Sequence, residues 1–457
     1  MTKEISFLNK DIYLLIIRVS LPLIIASIVT SIVQLANVAF MGNLGSEEIY
    51  VRSLYTPFAF LLIALIEAFQ ISNQVSIARL NGEGDIEGIK QNIFSFVLLS
   101  IAISLAVWII IYFLSPYIAK YYNVPDDVAK KFIDFLTLMF LVNILGIVAM
   151  VLSSSLRGIG KLGLSMILSI GYALLNITLV YMFSFHWNKG VLSLVYANLI
   201  SSLTLCIVSL IILMKLNLIK IKKQYFMLSH KGLFFLKVVG IPIFISYIII
   251  FLSNFFYNKI IEPFGHSTLS GFNVGYYVQT FAIIPAIAIG SALGIIINNN
   301  IGAGKLYYPR VYQIMKKGTL LTLIFYIIMS ALIFIFKMNI AQLMLIDEAS
   351  IKQAVLFLKI VAPTYIFFGV VLMTITTLEQ INKGYLALTL NSVYFLTIII
   401  IGWYLTIKYN RIDYLYWTIS ITNITGFMSV FFILRMMKKE YSGMQTSDSN
   451  NYDFYRS

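Results

Sequence analysis

Long apolar stretches recur along the chain and are separated by short polar segments. A helix that crosses a bilayer needs about 20 mostly apolar residues. Twelve stretches meet that requirement: 12–40, 51–78, 91–114, 132–153, 164–185, 190–214, 235–261, 269–298, 313–336, 353–377, 386–407 and 413–436. The apolar runs are continuous rather than alternating, which excludes a transmembrane β-barrel. The pattern therefore predicts an all-α polytopic membrane protein with twelve transmembrane helices.

The second half of the chain repeats landmarks of the first half at a constant offset of 220 residues. Three pairs keep this offset: Pro22 with Pro242, Gly45 with Gly265, and Gly84 with Gly304. Six predicted spans fall in each half, and an even number gives both halves the same orientation. We therefore predict two pseudo-symmetric six-helix lobes, related by rotation about the membrane normal, with a site between them.

Composition and charge support this interpretation. The chain is 60% hydrophobic and 11% charged, whereas soluble domains are about 25% charged. If both termini are cytoplasmic, 22 of the 33 Lys and Arg residues lie on the inner side and 11 outside, as the positive-inside rule requires. The net charge of +14 then reflects this distribution, and we expect the inner Lys and Arg side chains to interact with anionic lipid head groups rather than with nucleic acid. We expect a multi-pass protein of the cell membrane with both termini in the cytoplasm.

The repeat and the polar segments also suggest boundaries. We predict an N-terminal lobe of spans 1–6 over residues 1–214 and a cytoplasmic linker over 215–234. A C-terminal lobe of spans 7–12 follows over 235–440, and a disordered cytoplasmic tail over 441–457. We expect a monomer whose partners are membrane lipid and a small-molecule substrate.

Six segments, taken in order, resemble the multidrug and toxic compound extrusion (MATE) family of transporters. They are NVAFMGNLG at 37–45, NQVS at 73–76 with its turn at 82–84, LRGIGK at 156–161, LNITLVY at 175–181, NIGAGK at 300–305 and EQINK at 379–383. The resemblance covers residues 10 to about 437 and implies a secondary transporter that works by alternating access. It implies export of amphipathic small molecules, of the drug or organic cation type, coupled to inward movement of H⁺ or Na⁺, with no other cofactor.

The chain departs from the family pattern at the positions linked to cation coupling. Many family members carry an acidic residue where this chain has Asn37, and another where it has Val180. Of the residues implicated in coupling, only Asn176 is present as such. Asn37 keeps a polar group but cannot change charge, so the family's coupling mechanism cannot be transferred directly.

Glu67 is the one carboxylate that the pattern places near the middle of a span. An intramembrane acid is costly and usually faces a cavity or a partner, and without a cationic neighbour it suits proton binding and release. Gln70 and Gln74 follow at i+3 and i+7, on the same helical face. If spans 1 and 2 pack together, these three residues join Gln34 and Asn37 in one polar patch. The ion-coupling candidates are therefore Glu67, Asn37 and Asn176, although the polar residues could instead form a hydrogen-bond cluster that holds the lobe together.

A substrate cavity for an amphipathic molecule needs aromatic area and a few orienting polar groups. The cavity candidates are Gln34, Gln70, Gln74, Asn254, Tyr257, Asn273 and Tyr277. Tyrosines near span ends, Tyr277 included, could instead be ordinary anchors at the membrane interface.

Other chemistry is not supported. The histidines at 186, 230 and 266 lack metal-ligand spacing, so we expect no metal site. No Walker motif or serine elbow occurs in the chain. A membrane enzyme or a receptor is therefore disfavoured. The remaining alternative to export is a flippase for a lipid-linked oligosaccharide or another lipid precursor. A flippase for an anionic lipid should line its cavity with Lys and Arg, and few of these lie within the predicted spans.

Overall fold

The computed structural model describes residues 7–219 and 228–442 of the chain. Twelve helices in this part are long and apolar enough to cross a membrane, which confirms the prediction. We number them spans 1 to 12 in chain order. Spans 1 to 6 are Ile12–Leu44, Thr56–Glu83, Ile86–Tyr121, Asp126–Gly158, Leu162–His186 and Leu192–Lys215. Spans 7 to 12 are His230–Phe264, His266–Gly302, Lys305–Ile335, Glu348–Gln380, Gly384–Tyr409 and Asp413–Tyr441.

The packing of the helices repeats between the two halves. Spans 1 and 5 pack together as spans 7 and 11 do, and spans 2 and 4 pack together as spans 8 and 10 do. The pairs 3–4 and 5–6 likewise correspond to the pairs 9–10 and 11–12. The chain is therefore an all-α protein with two pseudo-symmetric six-helix lobes, and the lobes meet where spans 1 and 2 contact spans 7 and 8.

Short polar residues begin several of the spans. Asp11 accepts a hydrogen bond from the backbone N–H of Leu14 at 3.1 Å, and Asp85 accepts one from Gly88 at 2.8 Å. These side chains satisfy donors that the first helical turn leaves without a partner. The caps fix where spans 1 and 3 begin.

The paired glycines form turns of the same kind in both halves. Gly45 and Gly265 precede helices with φ of 143° and 92°, and Gly84 and Gly304 follow spans 2 and 8 with φ of 73° and 103°. Backbone with positive φ is accessible to glycine at little cost and is strained for most other residues. The constant offset therefore reflects repeated backbone geometry.

The paired prolines sit in different local settings. Pro22 lies inside the continuous helix of span 1, whereas Pro242 follows a π-helical turn over Leu236–Gly240 in span 7. Proline supplies no N–H to the preceding turn. In span 7 the backbone carbonyl of Val238, one turn earlier, faces span 11 so closely that a Cβ on Gly384 would lie 2.3 Å from it.

The lobes approach most closely at the face where span 1 begins and span 12 ends, which we call the terminal face. A Cβ on Gly82 would lie 2.2 Å from the backbone oxygen of Asn299, and a Cβ on Gly302 would lie 2.2 Å from that of Arg79. Asn81 Nδ2 also donates to Asn299 Oδ1 at 2.7 Å. Arg79 and Gly82 lie 220 residues before Asn299 and Gly302, so this contact follows the pseudo-twofold symmetry of the lobes.

Two predicted segments are only partly described. Residues 220–227 of the predicted linker, and residues 443–457 of the predicted tail, lie outside the described part of the chain. The boundaries at 215–234 and 441–457 therefore stay predictions.

Candidate functional site

Glu67 and Gln70 form the start of a polar cluster in the membrane-spanning part of span 2. Gln70 Nε2 donates a hydrogen bond to Glu67 Oε2 at 3.4 Å, as expected for residues three apart on a helix. Both side chains are half-buried. The carboxylate thus has a polar partner on its own helix and remains partly accessible.

Arg157 lies close enough to Glu67 for the two charges to interact. The expectation that Glu67 has no cationic neighbour is therefore wrong. The reason is the length of span 4, which continues to Gly158 beyond the predicted end at residue 153. A Cβ on Gly158 would lie 2.9 Å from the backbone oxygen of Gln74, so the last turn of span 4 packs deep against span 2.

Glu379 brings a second carboxylate to this cluster from the other lobe. It is buried near the end of span 10 and interacts electrostatically with Glu67. The Ser246 hydroxyl lies beside Glu379, and the half-buried Tyr247 lies near both carboxylates. Glu379 was not predicted as a site residue because the predicted span 10 ended at residue 377. Extending the predicted helix to Gln380, where the helix ends in the structure, would have placed Glu379 inside span 10.

Gln74, which follows Glu67 on span 2, connects the two lobes. Its Nε2 donates to Ser291 Oγ at 3.0 Å and to Gln380 Oε1 at 3.2 Å, which belong to spans 8 and 10. The side chain is fully buried, so in this conformation Gln74 is part of the seam between the lobes. Farther from the terminal face, spans 2 and 7 meet through Phe60 and Phe251, whose ring centroids are 5.0 Å apart.

A separate network of amides lies within the first lobe. Asn37 Nδ2 donates to Asn176 Oδ1 at 3.4 Å, and Asn176 Nδ2 donates to Asn198 Oδ1 at 2.9 Å. The Tyr172 hydroxyl also reaches Asn198 Oδ1, at 3.5 Å, while Val180 is fully buried in this lobe. Neither Asn198 nor Tyr172 was singled out from the sequence. None of the three bonded asparagines can change charge.

The structure does not form the five-residue patch predicted from spans 1 and 2. Span 1 packs mainly on spans 5 and 8 rather than on span 2. Gln34 is exposed, and Asn37 turns to Asn176. That prediction is wrong because spans 1 and 2 are consecutive in the chain but do not pack closely on each other.

Sequence comparison places the chain among known proteins. The MatE family model matches residues 22–182 and 242–404, and the two matches begin 220 residues apart. The chain belongs to the MatE family. It is 23% identical over 360 residues to a probable multidrug resistance protein, YoeA, of Bacillus subtilis, covering 76% of this chain and 77% of that protein. It is 22% identical over 385 residues to the multidrug export protein MepA of Staphylococcus aureus (strain NCTC 8325 / PS 47), covering 83% and 84%.

Solved structures show the same fold as this MatE protein. A MOP superfamily transporter from Pyrococcus furiosus superposes with a TM-score of 0.87 at 20% identity, covering 98% of this chain and 100% of the other. The Vibrio cholerae MATE transporter VcmN, in its bent form, superposes with a TM-score of 0.87 at 19% identity, covering 94% and 98%. These similarities confirm the predicted fold class.

The candidates in the second lobe of this MatE chain do not share one surface. Asn254 is half-buried and lies beside the hydroxyl of Tyr276. Tyr257 is 2% exposed and packs in the core, its ring centroid 6.1 Å from that of Tyr276. Asn273 is half-buried, and Tyr277 is 54% exposed. A substrate could reach Tyr257 only if this core opened, and the predicted cavity roles of all four stay predictions.

The described residues contain no group of three or more His, Cys, Asp or Glu that could hold a metal ion. The polar groups that the described residues place around Glu67 are instead a second carboxylate, one guanidinium, one phenol and nearby amides. Such a set can bind and release a proton or hold a single positive charge.

Proposed function

We propose that this protein is a multidrug efflux transporter of the cell membrane that exports amphipathic small molecules in exchange for inward-moving protons. The observation that carries the proposal is the seam between two pseudo-symmetric lobes, where Gln74 of one lobe hydrogen-bonds Gln380 of the other and Glu67 interacts electrostatically with Glu379. Intramembrane acids usually serve transport or energy coupling. Membership of the MatE family and the multidrug export names of YoeA and MepA support export as the direction.

Alternating access explains why the lobes touch where they do. In this structure the lobes are closed against each other at the terminal face, through Gly82, Gly302 and the Asn81–Asn299 hydrogen bond. Rocking the lobes about the seam would open that face and close the opposite one. The charge asymmetry of the loops favours a cytoplasmic terminal face, so this conformation corresponds to an outward-facing state.

Proton coupling through Glu67 is the preferred form of the proposal. The amides around Asn37 and Asn176 lack an ionisable group, whereas Glu67 has two charged neighbours and partial access. A flippase for an anionic lipid has less support, because Arg157 already interacts with Glu67 and the names of YoeA and MepA refer to multidrug resistance and multidrug export.

The test is transport of a fluorescent organic cation in proteoliposomes under an imposed pH gradient. Glu67→Gln keeps the shape and hydrogen bonding of the side chain but removes its titration, so it should abolish pH-driven transport in a folded, inserted protein. Glu348→Gln is a matched control, since Glu348 pairs with Lys352 at an exposed site outside the seam. Normal pH-driven transport by Glu67→Gln would assign Glu67 a structural role and place proton coupling at another group.

A further inference from the structure

The segment that leads into span 1 packs on the second lobe. Phe7 is buried in the apolar cluster that forms the core of that lobe. Asn300 of span 8 donates a hydrogen bond from Nδ2 to the backbone oxygen of Phe7 at 3.3 Å. Arg310 of span 9 donates one to the backbone oxygen of Lys10. Residues 7–11, which we call the first latch, therefore tie the start of span 1 to spans 8 and 9.

The segment that leads into span 7 packs in the same way on the first lobe. The backbone N–H of Ser229 donates to Ser95 Oγ of span 3 at 2.7 Å. Lys231 Nζ lies 2.6 Å from Glu83 Oε2 at the end of span 2, and the two side chains form an ion pair. Residues 229–232, which we call the second latch, therefore tie the start of span 7 to spans 2 and 3.

The two latches are exchanged between the lobes. Residues 9–11 of the first latch stand 220 positions before residues 229–231 of the second, so the exchange follows the pseudo-twofold symmetry. Rocking the lobes open at the terminal face would draw the start of span 1 away from spans 8 and 9. The same movement would draw the start of span 7 away from spans 2 and 3. Both sets of contacts would therefore break in one movement.

The latches are held by different interactions. The first depends on a buried aromatic ring, since Phe7 is 6% exposed. The second depends on an ion pair whose side chains are 51% exposed at Lys231 and 32% exposed at Glu83. Salt screens exposed ion pairs but does not weaken apolar burial. Sodium chloride should therefore loosen the second latch directly and the first only if the two are linked.

We propose that the two latches form one lock on the terminal face, so that they release together and the face opens in a single step. The inference rests on alternating access in the proposed function and is independent of the coupling ion. Because the lobes are held at two symmetric points, they separate only when both latches are released. Such a lock keeps the terminal face closed while the opposite side is open, and thereby prevents a continuous pathway across the membrane.

The experiment measures how often each contact opens, by thiol labelling of the purified full-length protein in detergent. The reporters are single cysteines introduced into Cys206→Ser protein, at Asn300→Cys for the first latch and at Ser95→Cys for the second. Both native residues are fully buried, so a water-soluble maleimide reacts only with the open form and its rate follows the open fraction. Ser201→Cys, buried within span 6, is the control for general loosening. Each rate is compared with that of the same reporter protein without other changes.

A change in one latch should accelerate labelling at both reporters. Phe7→Ala should raise the rate at Ser95→Cys as well as at Asn300→Cys by about 10- to 150-fold, the range for exposing a buried Phe side chain. Glu83→Gln should raise both rates by about 1.5- to 5-fold, the range for an exposed ion pair. Glu348→Gln, which breaks an exposed ion pair of span 10, should change neither rate.

Two further comparisons separate the lock from damage to the fold. Phe7→Leu keeps the first latch apolar, and Glu83→Lys combined with Lys231→Glu restores the ion pair in reversed order. Both proteins should therefore label at nearly the rate of their reporter protein. Sodium chloride should accelerate labelling at both reporters in the unaltered and the charge-reversed proteins, and it should have no effect in Glu83→Gln.

The outcomes are distinct from those that test export. Acceleration confined to the reporter of the altered latch, unchanged rates at both reporters, or equal acceleration at Ser201→Cys overturns the lock. Acceleration at both reporters with an unchanged rate at Ser201→Cys supports the lock, whether or not proteoliposomes export a cation. If the latches open independently while Glu67→Gln abolishes pH-driven transport, the proposed function stands and the lock fails.

Discussion

The glycine contact between the lobes offers a direct way to shift the conformational equilibrium. Gly82→Ala adds one methyl group, whose carbon would lie 2.2 Å from the backbone oxygen of Asn299. Relief of this clash needs the backbones to move apart by about 1 Å. Overpacking of this kind typically costs about 1–3 kcal/mol.

That cost applies only to the conformation in which the terminal face is closed. The ratio of closed to open protein should therefore fall by about 5- to 150-fold, since 1.4 kcal/mol corresponds to a factor of ten. By the pseudo-symmetry of the contact, Gly302→Ala, with its 2.2 Å approach to the backbone of Arg79, should have a similar effect.

Electron–electron double resonance spectroscopy measures this shift. Spin labels would be placed at Ile86→Cys and Leu306→Cys, two exposed positions 220 residues apart near the terminal face, after replacement of the single cysteine by Cys206→Ser. Gly82→Ala should enlarge the long-distance population. Gly163→Ala, where no atom lies within 4 Å of the added carbon, should not. Unchanged distance distributions in both Gly82→Ala and Gly302→Ala would refute the role of this contact in closure.

Further predictions concern topology, the seam, the amide network and a helix cap. A cytoplasmic reporter fused after Ser457 should be active, and residues 120–131 should react with an external label; their protection would contradict the topology. Gln74→Leu removes two inter-lobe hydrogen bonds, each worth about 0.5–1.5 kcal/mol, so the melting temperature in detergent should fall; an unchanged melting temperature would argue against these bonds as a link between the lobes. Asn37→Leu should leave the number of protons moved per cation unchanged. A changed ratio, measured in proteoliposomes, would show that the amide network of Asn37 and Asn176 takes part in coupling. Hydrogen bonds from Ser350 lower the pKa of the Asp347 carboxyl below its ordinary value, so its stabilising effect is present above about pH 4 and is lost as pH falls through the lowered pKa. The melting difference between wild type and Asp347→Ala should therefore shrink in acid.

The sequence predicted those features that depend on local pattern. Apolar length located all twelve spans, and the constant offset found the glycine turns at Gly84 and Gly304, because positive φ restricts the residue type locally. The i+3 spacing placed Gln70 beside Glu67. These are properties of single helices and turns.

The features that the sequence missed depend on how helices pack. Arg157 and Glu379 lie just beyond the predicted apolar windows, yet spans 4 and 10 continue through them and carry them to Glu67. Charged residues end an apolar window without ending a helix that is buried between others. The contact of Gly82 with the other lobe could not be predicted from the sequence either, since its neighbour Asn299 is remote in sequence and the contact forms only when the lobes pack together.

The central claim is that export is driven by protons through the acids at the seam. The most direct measurement is uptake of a fluorescent organic cation into proteoliposomes with an acidic interior, recorded together with the proton efflux. The account predicts uptake that requires the pH gradient, about one proton released per cation, and loss of both fluxes in Glu67→Gln and Glu379→Gln. Uptake driven by a Na⁺ gradient alone, or gradient-dependent uptake that survives in both variants, would contradict it.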